Sequence, residues 1–275
     1  MLAKKILLTA ALALALTVPS AASAQTEKTL RLSGSTTVLP IAQKAAETYM
    51  GLHPDIKLSV SGTGSGDGLK AIVEGSVDIA NSSRDLKDKE KTRAEEGKVK
   101  LVRHAVALDC VAVVINPANP VDGLTLEQLK GIYDGTIKNW KEVGGDDKPI
   151  VAINRDASSG TFEVWLEKVL KGARVRPDAQ VQASNGGVAQ AVAGNKYAVG
   201  YIGLGYITSQ VKAVKIEGIE PGVATVQSGT YPIARELYMF TREDGPRAAN
   251  DFIAFLTGPD GQKLVEREGF VSLKK

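Results

Sequence analysis

Ile153-Asn-Arg-Asp-Ala-Ser-Ser-Gly-Thr-Phe162 reads as the end of an apolar strand, a turn of small hydroxylated residues, and the first turn of a helix. The helix is marked by its periodicity. Phe162, Trp165, Leu166, Val169 and Leu170 recur at i, i+3, i+4, i+7 and i+8, which puts all five on one face. Two upstream segments repeat the design: Leu32-Ser-Gly-Ser-Thr-Thr-Val-Leu-Pro-Ile41 and Val60-Ser-Gly-Thr-Gly-Ser-Gly-Asp-Gly-Leu-Lys70. In each, period-2 or continuous apolar patterning gives way across a Gly/Ser/Thr turn to helical periodicity.

Further strands are predicted at Leu30 to Leu32, Lys57 to Ser61, Val106 to Ile115, Ile150 to Ile153, Ala198 to Ile202, Val211 to Ile216 and Leu237 to Phe240. Helical faces fall between them, at Ile41, Ala45, Thr48 and Tyr49; at Leu69, Ile72 and Val73; and at Leu126, Leu129, Ile132 and Tyr133. Two more helices close the chain, Arg247 to Leu256 and Pro259 to Glu268. Alternation of this kind defines an α/β protein with largely parallel sheets. The charge-rich segment from Lys87 to Lys100 predicts a solvated helix and loop.

A helix N-terminus leaves its first four N–H groups without intrahelical partners. The macrodipole adds about half a positive charge there. Glycines admit a ligand close to the backbone, and Ser or Thr hydroxyls add donors, so such turns suit anions. Arg155 adds a planar, permanently charged fork. One turn alone is an ordinary helix cap. Three with an arginine point to a bound oxyanion.

Other candidate motifs in the sequence carry little chemistry. The second turn lacks the Gly-Lys-Ser/Thr ending of a nucleotide-binding loop. His53 and His104 have no metal-ligand spacing, Ser158 and Ser159 sit in no Gly-x-Ser-x-Gly elbow, and the carboxylates form no acid/base pair. Cys110 is the single cysteine and lies in an apolar run, as a buried hydrophobe does. No metal, no cofactor and no nucleic acid is expected: the formal net charge of 275 residues is +3, without a basic block. At the N-terminus, Lys4 and Lys5 precede the apolar stretch Ile6 to Val18 and the small residues Ala22-Ser23-Ala24, the order of a cleaved secretory signal spanning residues 1–24. Its removal leaves about 250 residues, the size of two ordinary domains.

At these motifs the chain resembles the periplasmic phosphate-binding proteins of the phosphate ABC transporters. The resemblance spans nearly the whole mature chain. It is carried by Gly34-Ser-Thr-Thr-Val-Leu-Pro40, Val77-Asp-Ile-Ala-Asn-Ser-Ser-Arg84, Leu124-Thr-Leu-Glu-Gln-Leu-Lys-Gly-Ile-Tyr133, Asn139-Trp-Lys-Glu-Val-Gly144, Arg155-Asp-Ala-Ser-Ser-Gly-Thr161, and the run from Asn185-Gly-Gly-Val188 to Gly200-Tyr-Ile202. It implies an α/β type II periplasmic-binding-protein fold, with two lobes joined by two crossover strands around a central ligand cleft. The crossings are expected near Ala105 to Leu108 and Tyr231 to Glu236, giving one lobe of residues 25–105 plus 236–275 and another of 106–235.

The resemblance also implies the site: Ser35, Thr36 and Thr37 from the first turn, Ser65 from the second, Ser83, and Arg155, Ser159, Gly160 and Thr161 from the third. Some relatives carry an aspartate where this chain has Ser83, to take the proton of bound hydrogen phosphate. The acceptor here is left among Asp85, Asp67, Asp156 and a serine or backbone oxygen, and Arg84 is expected to touch the ligand, pair with Asp85 or face solvent. The implied function is capture of inorganic phosphate and delivery to the membrane permease subunits of an ABC transporter, by a monomer in the periplasm and without catalysis. A cradle of this kind also admits another oxyanion, sulfate or molybdate, or the chemistry of a phosphatase, for which no metal cluster or activated nucleophile is visible.

Overall fold

The computed structural model describes residues 28–273; the predicted leader lies outside them. Two α/β halves share one continuous path of strands. In the first, Lys28–Gly34 is flanked by Ile56–Gly62 and Ile79–Ser82, parallel on both sides. Ala234–Arg242 runs antiparallel beside Ile79–Ser82, and the long strand Leu101–Ile115 lies antiparallel beside it in turn.

That long strand then changes partners. Residues Leu101 to Cys110 pair with Ala234–Arg242, whereas Val111 to Ile115 pair with Ala198–Gly203. Val151–Arg155 and then the short Gln180–Gln182 continue the second half in parallel. A type II two-lobed fold results, with Leu101–Ile115 and the returning Ala234–Arg242 passing between the lobes. A register shift between Leu237 and Tyr238 kinks the return strand close to the handover.

The expected strands and helices form, with instructive differences. The long strand starts five residues earlier than its apolar run, at Leu101, because Arg103 and His104 are paired through their backbones with Phe240 and Met239. The expected strand Val211 to Ile216 divides into Lys212–Ala213 and Lys215–Ile216, with buried Val214 between them. Ile79–Ser82, wholly buried, and the polar edge strand Gln180–Gln182 are too short to carry a period. In the charged segment only Asp88–Glu96 is helical, and its Glu90 turns inward rather than facing water.

Each half has its own core. Around Lys28–Gly34 the helix Leu39–Leu52 packs Ile41, Ala42, Ala45 and Tyr49 against Phe252, Ile253 and Leu256 of Arg247–Thr257. The other core is aromatic. Trp165 stacks on Tyr201 with ring centroids 4.3 Å apart and planes 5° from parallel, and Tyr133 closes on Trp165 edge-on at 4.9 Å. Such pairs add about 0.5–1.5 kcal/mol beyond their buried area.

The stack also braces the third turn. The Tyr201 hydroxyl donates to Asn154 Oδ1 at 2.6 Å and accepts from the Arg155 N–H at 3.3 Å, fixing the end of Val151–Arg155. Trp165→Ala should therefore destabilise the protein by about 3–5 kcal/mol. Urea unfolding followed by far-ultraviolet circular dichroism checks this; a midpoint equal to wild type would contradict the packing described.

Candidate functional site

Four helix starts meet between the lobes. The first follows Gly34, whose φ of +134° and contact with the Asn81 carbonyl, 2.2 Å from where a Cβ would lie, admit no other residue without strain. The chain then folds back, so that Ser35 N–H donates to Asn81 O at 2.8 Å and Ser35 Oγ accepts from Thr37 N–H and Val38 N–H. Helix Leu39–Leu52 begins just beyond, with Pro40 in its first turn, where the missing N–H costs nothing.

The second start is Ser65–Val73, capped by Gly64 at φ +102°. Ser65 Oγ accepts from Ser83 N–H at 3.1 Å and lies 3.3 Å from Ser83 Oγ. The third is Gly160–Lys168, where Ser159 Oγ caps by accepting from Phe162 N–H. Gly160 faces the second turn so closely that a Cβ there would lie 2.3 Å from Ser65 Oγ and 2.7 Å from Ser83 Oγ. Thr161 Oγ1 meets Thr37 Oγ1 at 3.0 Å. Ser35, Thr36, Thr37, Ser65, Ser83, Ser159 and Thr161 are all buried, and they come from both lobes.

The lobes also touch at the rim. Ser158 Oγ donates to Thr63 O at 3.0 Å, Gly66 N–H donates to Ser158 O at 2.9 Å, and Lys87 pairs with Glu163. Gly64 is as necessary as Gly160 here, since a Cβ on it would fall 2.1 Å from Ser158 Oγ.

Arg155 is 2% exposed. Its Nε and Nη2 donate to the carbonyls of Gln182 and Ala183 at 3.0 and 3.1 Å, and Nη2 lies 3.5 Å from Asp156 Oδ2. Nη1 is buried without a protein partner. Burial pulls the guanidinium below its ordinary pKa, opposed by Asp156 and assisted by the like charge of Arg235. A cation so placed has one donor group unspent, and an anion is what would complete it.

Four residues to which the sequence assigned no role join the site. Asn185 begins helix Asn185–Ala193, and its Nδ2 donates to Thr36 Oγ1 and Thr37 Oγ1, each at 3.0 Å. The Tyr206 hydroxyl donates to Thr36 O, and burial pushes this phenol up to about 12. Arg235, on the return strand, pairs with buried Asp109 at 2.7 Å and donates to Thr161 Oγ1 and Thr37 Oγ1 at 3.2 and 3.3 Å. Burial raises the Asp109 carboxyl, with Arg235 pulling the other way. Asn185 sits in a Ser-Asn-Gly-Gly run much like the other turns, and Asp109 is the lone charge in its apolar run, so both left a signal. Arg235 left none.

Arg84 turns away from Ser83. Its Nη1 and Nη2 donate to the two oxygens of Glu90, both at 2.7 Å, and Nη1 also donates to the Asp85 carbonyl. Of the carboxylates weighed as proton acceptors, Asp67 is exposed, Asp85 pairs with Arg103, and Asp156 accepts from Ser158 N–H and Oγ. Among the described residues no cluster of His, Cys, Asp and Glu could hold a metal, and burial pushes the Cys110 thiol far above its usual range.

A profile of the PBP superfamily domain matches residues 19–260, so the chain is one of the two-lobed binding proteins of that superfamily. It is 35% identical over 244 residues to the phosphate-binding protein PstS of Bacillus subtilis (strain 168), covering 88% of this chain and 80% of that protein. To PstS of Staphylococcus saprophyticus the identity is 33% over 270 residues, covering 93% and 84%. A Clostridium perfringens protein assigned as a phosphate ABC transporter substrate-binding protein, solved with bound phosphate, superposes with a TM-score of 0.85 at 34% identity over 90% of this chain and 100% of that one. An ABC-type phosphate transport receptor from Vibrio cholerae gives 0.73 at 35% identity over 89% and 100%. The chain belongs to the PstS family.

The Arg84–Glu90 pair should be visible in acid. Burial raises the Glu90 carboxyl, but the hydrogen bonds from Arg84 and from Lys87 N–H outweigh it and hold the group below its ordinary pKa. A depressed carboxylate stabilises the fold above its unfolded pKa of about 4.3, and that contribution is lost as pH falls through the folded value. Glu90→Gln should thus lower the urea midpoint at neutral pH and approach wild type in acid; a gap independent of pH would refute the pairing.

Proposed function

We propose that the protein is the extracytoplasmic receptor of a phosphate ABC transporter: it closes on inorganic phosphate between its lobes and presents the closed form to the permease subunits. The observation that carries this reading is the unspent Nη1 of buried Arg155 beside three small-residue helix starts drawn from both lobes. The names of the relatives, and the phosphate bound in the Clostridium perfringens structure, agree with it.

In this reading residues 1–24 are a secretory signal, and the monomer is released to the periplasm. One lobe is residues 25–105 plus 236–275 and the other 106–235. Phosphate first meets the hydroxyls of Ser35, Thr36, Thr37, Ser65 and Ser83 and the N–H group of Ser65, since the N–H groups of Ser35, Thr37 and Ser83 are spent on Asn81 O, Ser35 Oγ and Ser65 Oγ. Asn185 Nδ2 donates to the Thr36 and Thr37 hydroxyl oxygens alike and leaves each hydroxyl its own proton to give. Closure then adds Arg155 Nη1, the helix start at Ser159 and Gly160, and Thr161. The anion exchanges water for fixed dipoles and a guanidinium, a charge-assisted set that a dry cleft strengthens. A receptor signals occupancy by the affinity difference between its open and closed forms. The role is carriage rather than catalysis: among the described residues no cluster of His, Cys, Asp and Glu could supply a metal-bound nucleophile.

Calorimetric titration of residues 25–275 with phosphate, after unfolding and refolding to strip carried-over anion, should give one site that survives excess sulfate. Absence of heat with phosphate would defeat the reading. Arg155→Ala should weaken binding by about 2–5 kcal/mol, the range for truncating a buried charged hydrogen-bond partner. Gly160→Ala should also lose affinity while keeping its unfolding midpoint, because the added methyl meets Ser65 and Ser83 only when the lobes are shut. Equal affinity in either variant would remove that residue from the site.

A further inference from the structure

Lys87 and Glu163 stand on opposite lobes and pair at the rim through Nζ and Oε2, with side chains 31% and 18% exposed. The rim contacts of Ser158 with Thr63 and Gly66 are neutral hydrogen bonds, and the buried pair of Asp109 and Arg235 lies on the crossing strands. The Lys87–Glu163 pair is thus a charged contact between the lobes away from the hinge. Both ends are held in place. Lys87 precedes helix Asp88–Glu96, and its N–H donates to Glu90 Oε2 at 2.9 Å. The same carboxylate holds both amino groups of Arg84, the residue after Ser83. Glu163 lies in the first turn of helix Gly160–Lys168, where its N–H donates to Ser159 O at 3.1 Å. Each partner is therefore one short, fixed step from the cradle: Lys87 from Ser83 through Arg84 and Glu90, and Glu163 from Gly160 along a single helical turn.

We infer that Lys87 and Glu163 are a latch: positioning residues that touch no ligand but set how long the closed cleft keeps its anion. The lobes cannot part without separating the two charges, so the energy of the pair adds to the barrier for release. Two open hollows share Arg84 and Glu163, one lined also by Gly66, Lys70 and Ser158, the other by Leu86, Lys87 and Leu166. Water therefore reaches the pair from the groove, and the latch can be broken as well as made. Glu163 has a second effect. A carboxylate in the first turn of a helix takes up part of the positive potential at its start. In the open lobe that carboxylate competes with an incoming anion for the start at Gly160. On closure Lys87 neutralises it, and the helix start acts on the anion alone.

Removal of one of the two charges alters the field at the anion as well as the contact between the lobes. Removal of both leaves the local charge balance as it was and takes away the contact alone. Exposed Lys89, which lines the first hollow, supplies the comparison in which a cation is lost from the same rim while the latch stays intact.

The latch rests on the phosphate reading, and the test separates the two. Residues 25–275 are loaded with radiolabelled inorganic phosphate, and its release is followed after rapid mixing with excess unlabelled phosphate. Lys87→Met/Glu163→Gln should release phosphate about two- to fivefold faster than wild type, the effect of losing a partly exposed ion pair. Lys87→Met alone leaves the Glu163 carboxylate unpaired near the anion and should release it faster still, by about tenfold. Lys87→Arg keeps the charge and should restore slow release, and Lys89→Met should release at close to the wild-type rate. Raising the ionic strength from about 0.01 M to about 1 M shortens the Debye length from about 30 Å to about 3 Å and should narrow the gap between wild type and the double variant. Release from the double variant at the wild-type rate, or from Lys89→Met as fast as from Lys87→Met, would overturn the latch and leave the phosphate reading standing. Absence of phosphate binding by wild type would overturn both.

Discussion

The ion pair between Asp109 and Arg235 is the constraint on which the site depends. Both residues lie on the two strands that run between the lobes, paired with each other in register at the point where the long strand leaves one sheet for the other. The pair is almost wholly buried, with side chains 0% and 6% exposed. A buried ion pair seldom repays its desolvation by stability alone. Here it holds a guanidinium against Ser83 O, Thr37 and Thr161, and so ties the first lobe, the second lobe and the crossing strands at one point.

Around that point, absence of side chains matters as much as their presence. Gly64 and Gly160 face each other's turns at distances no Cβ would survive, and they let two positively polarised helix starts approach across the cleft. Mutual repulsion of helix N-termini disfavours such closeness. The rim contacts of Ser158 with Thr63 and Gly66, and of Lys87 with Glu163, offset it in part. An anion among the N-termini offsets it directly. The electrostatics of the facing helix starts thus tie the close approach of the two turns to the presence of negative charge between them.

Arg84 and Arg155 show how differently two arginines in conspicuous motifs can be used. Arg84 follows Ser83 and is spent on Glu90, organising the turn at Lys87 whose side chain reaches across to Glu163. Arg155 is pinned from behind by two carbonyls and keeps one amino group in hand. Both side chains are largely buried; the two amino groups of Arg84 both face the Glu90 carboxylate, whereas one amino group of Arg155 meets no protein acceptor.

The sequence by itself marked the strand–turn–helix units, and their resemblance to a known family implied the two-lobed architecture and the cradle residues. Strand–turn–helix units are local: apolar periodicity, a Gly/Ser/Thr turn and a capped helix start lie within about a dozen residues, so Ser35, Thr37, Ser65 and the run Arg155 to Thr161 could be read where they stand. The glycines at 64 and 160 could be read as turn residues, but their need for a partner lobe could not. Only the tertiary structure decided the rest. Arg235 meets Asp109 through the register of two strands more than a hundred residues apart, and Asn185 meets Thr36 and Thr37 across the cleft. The direction in which a threonine hydroxyl points depends on every donor that surrounds it, and those donors are gathered by folding from parts of the chain that carry no mark of one another.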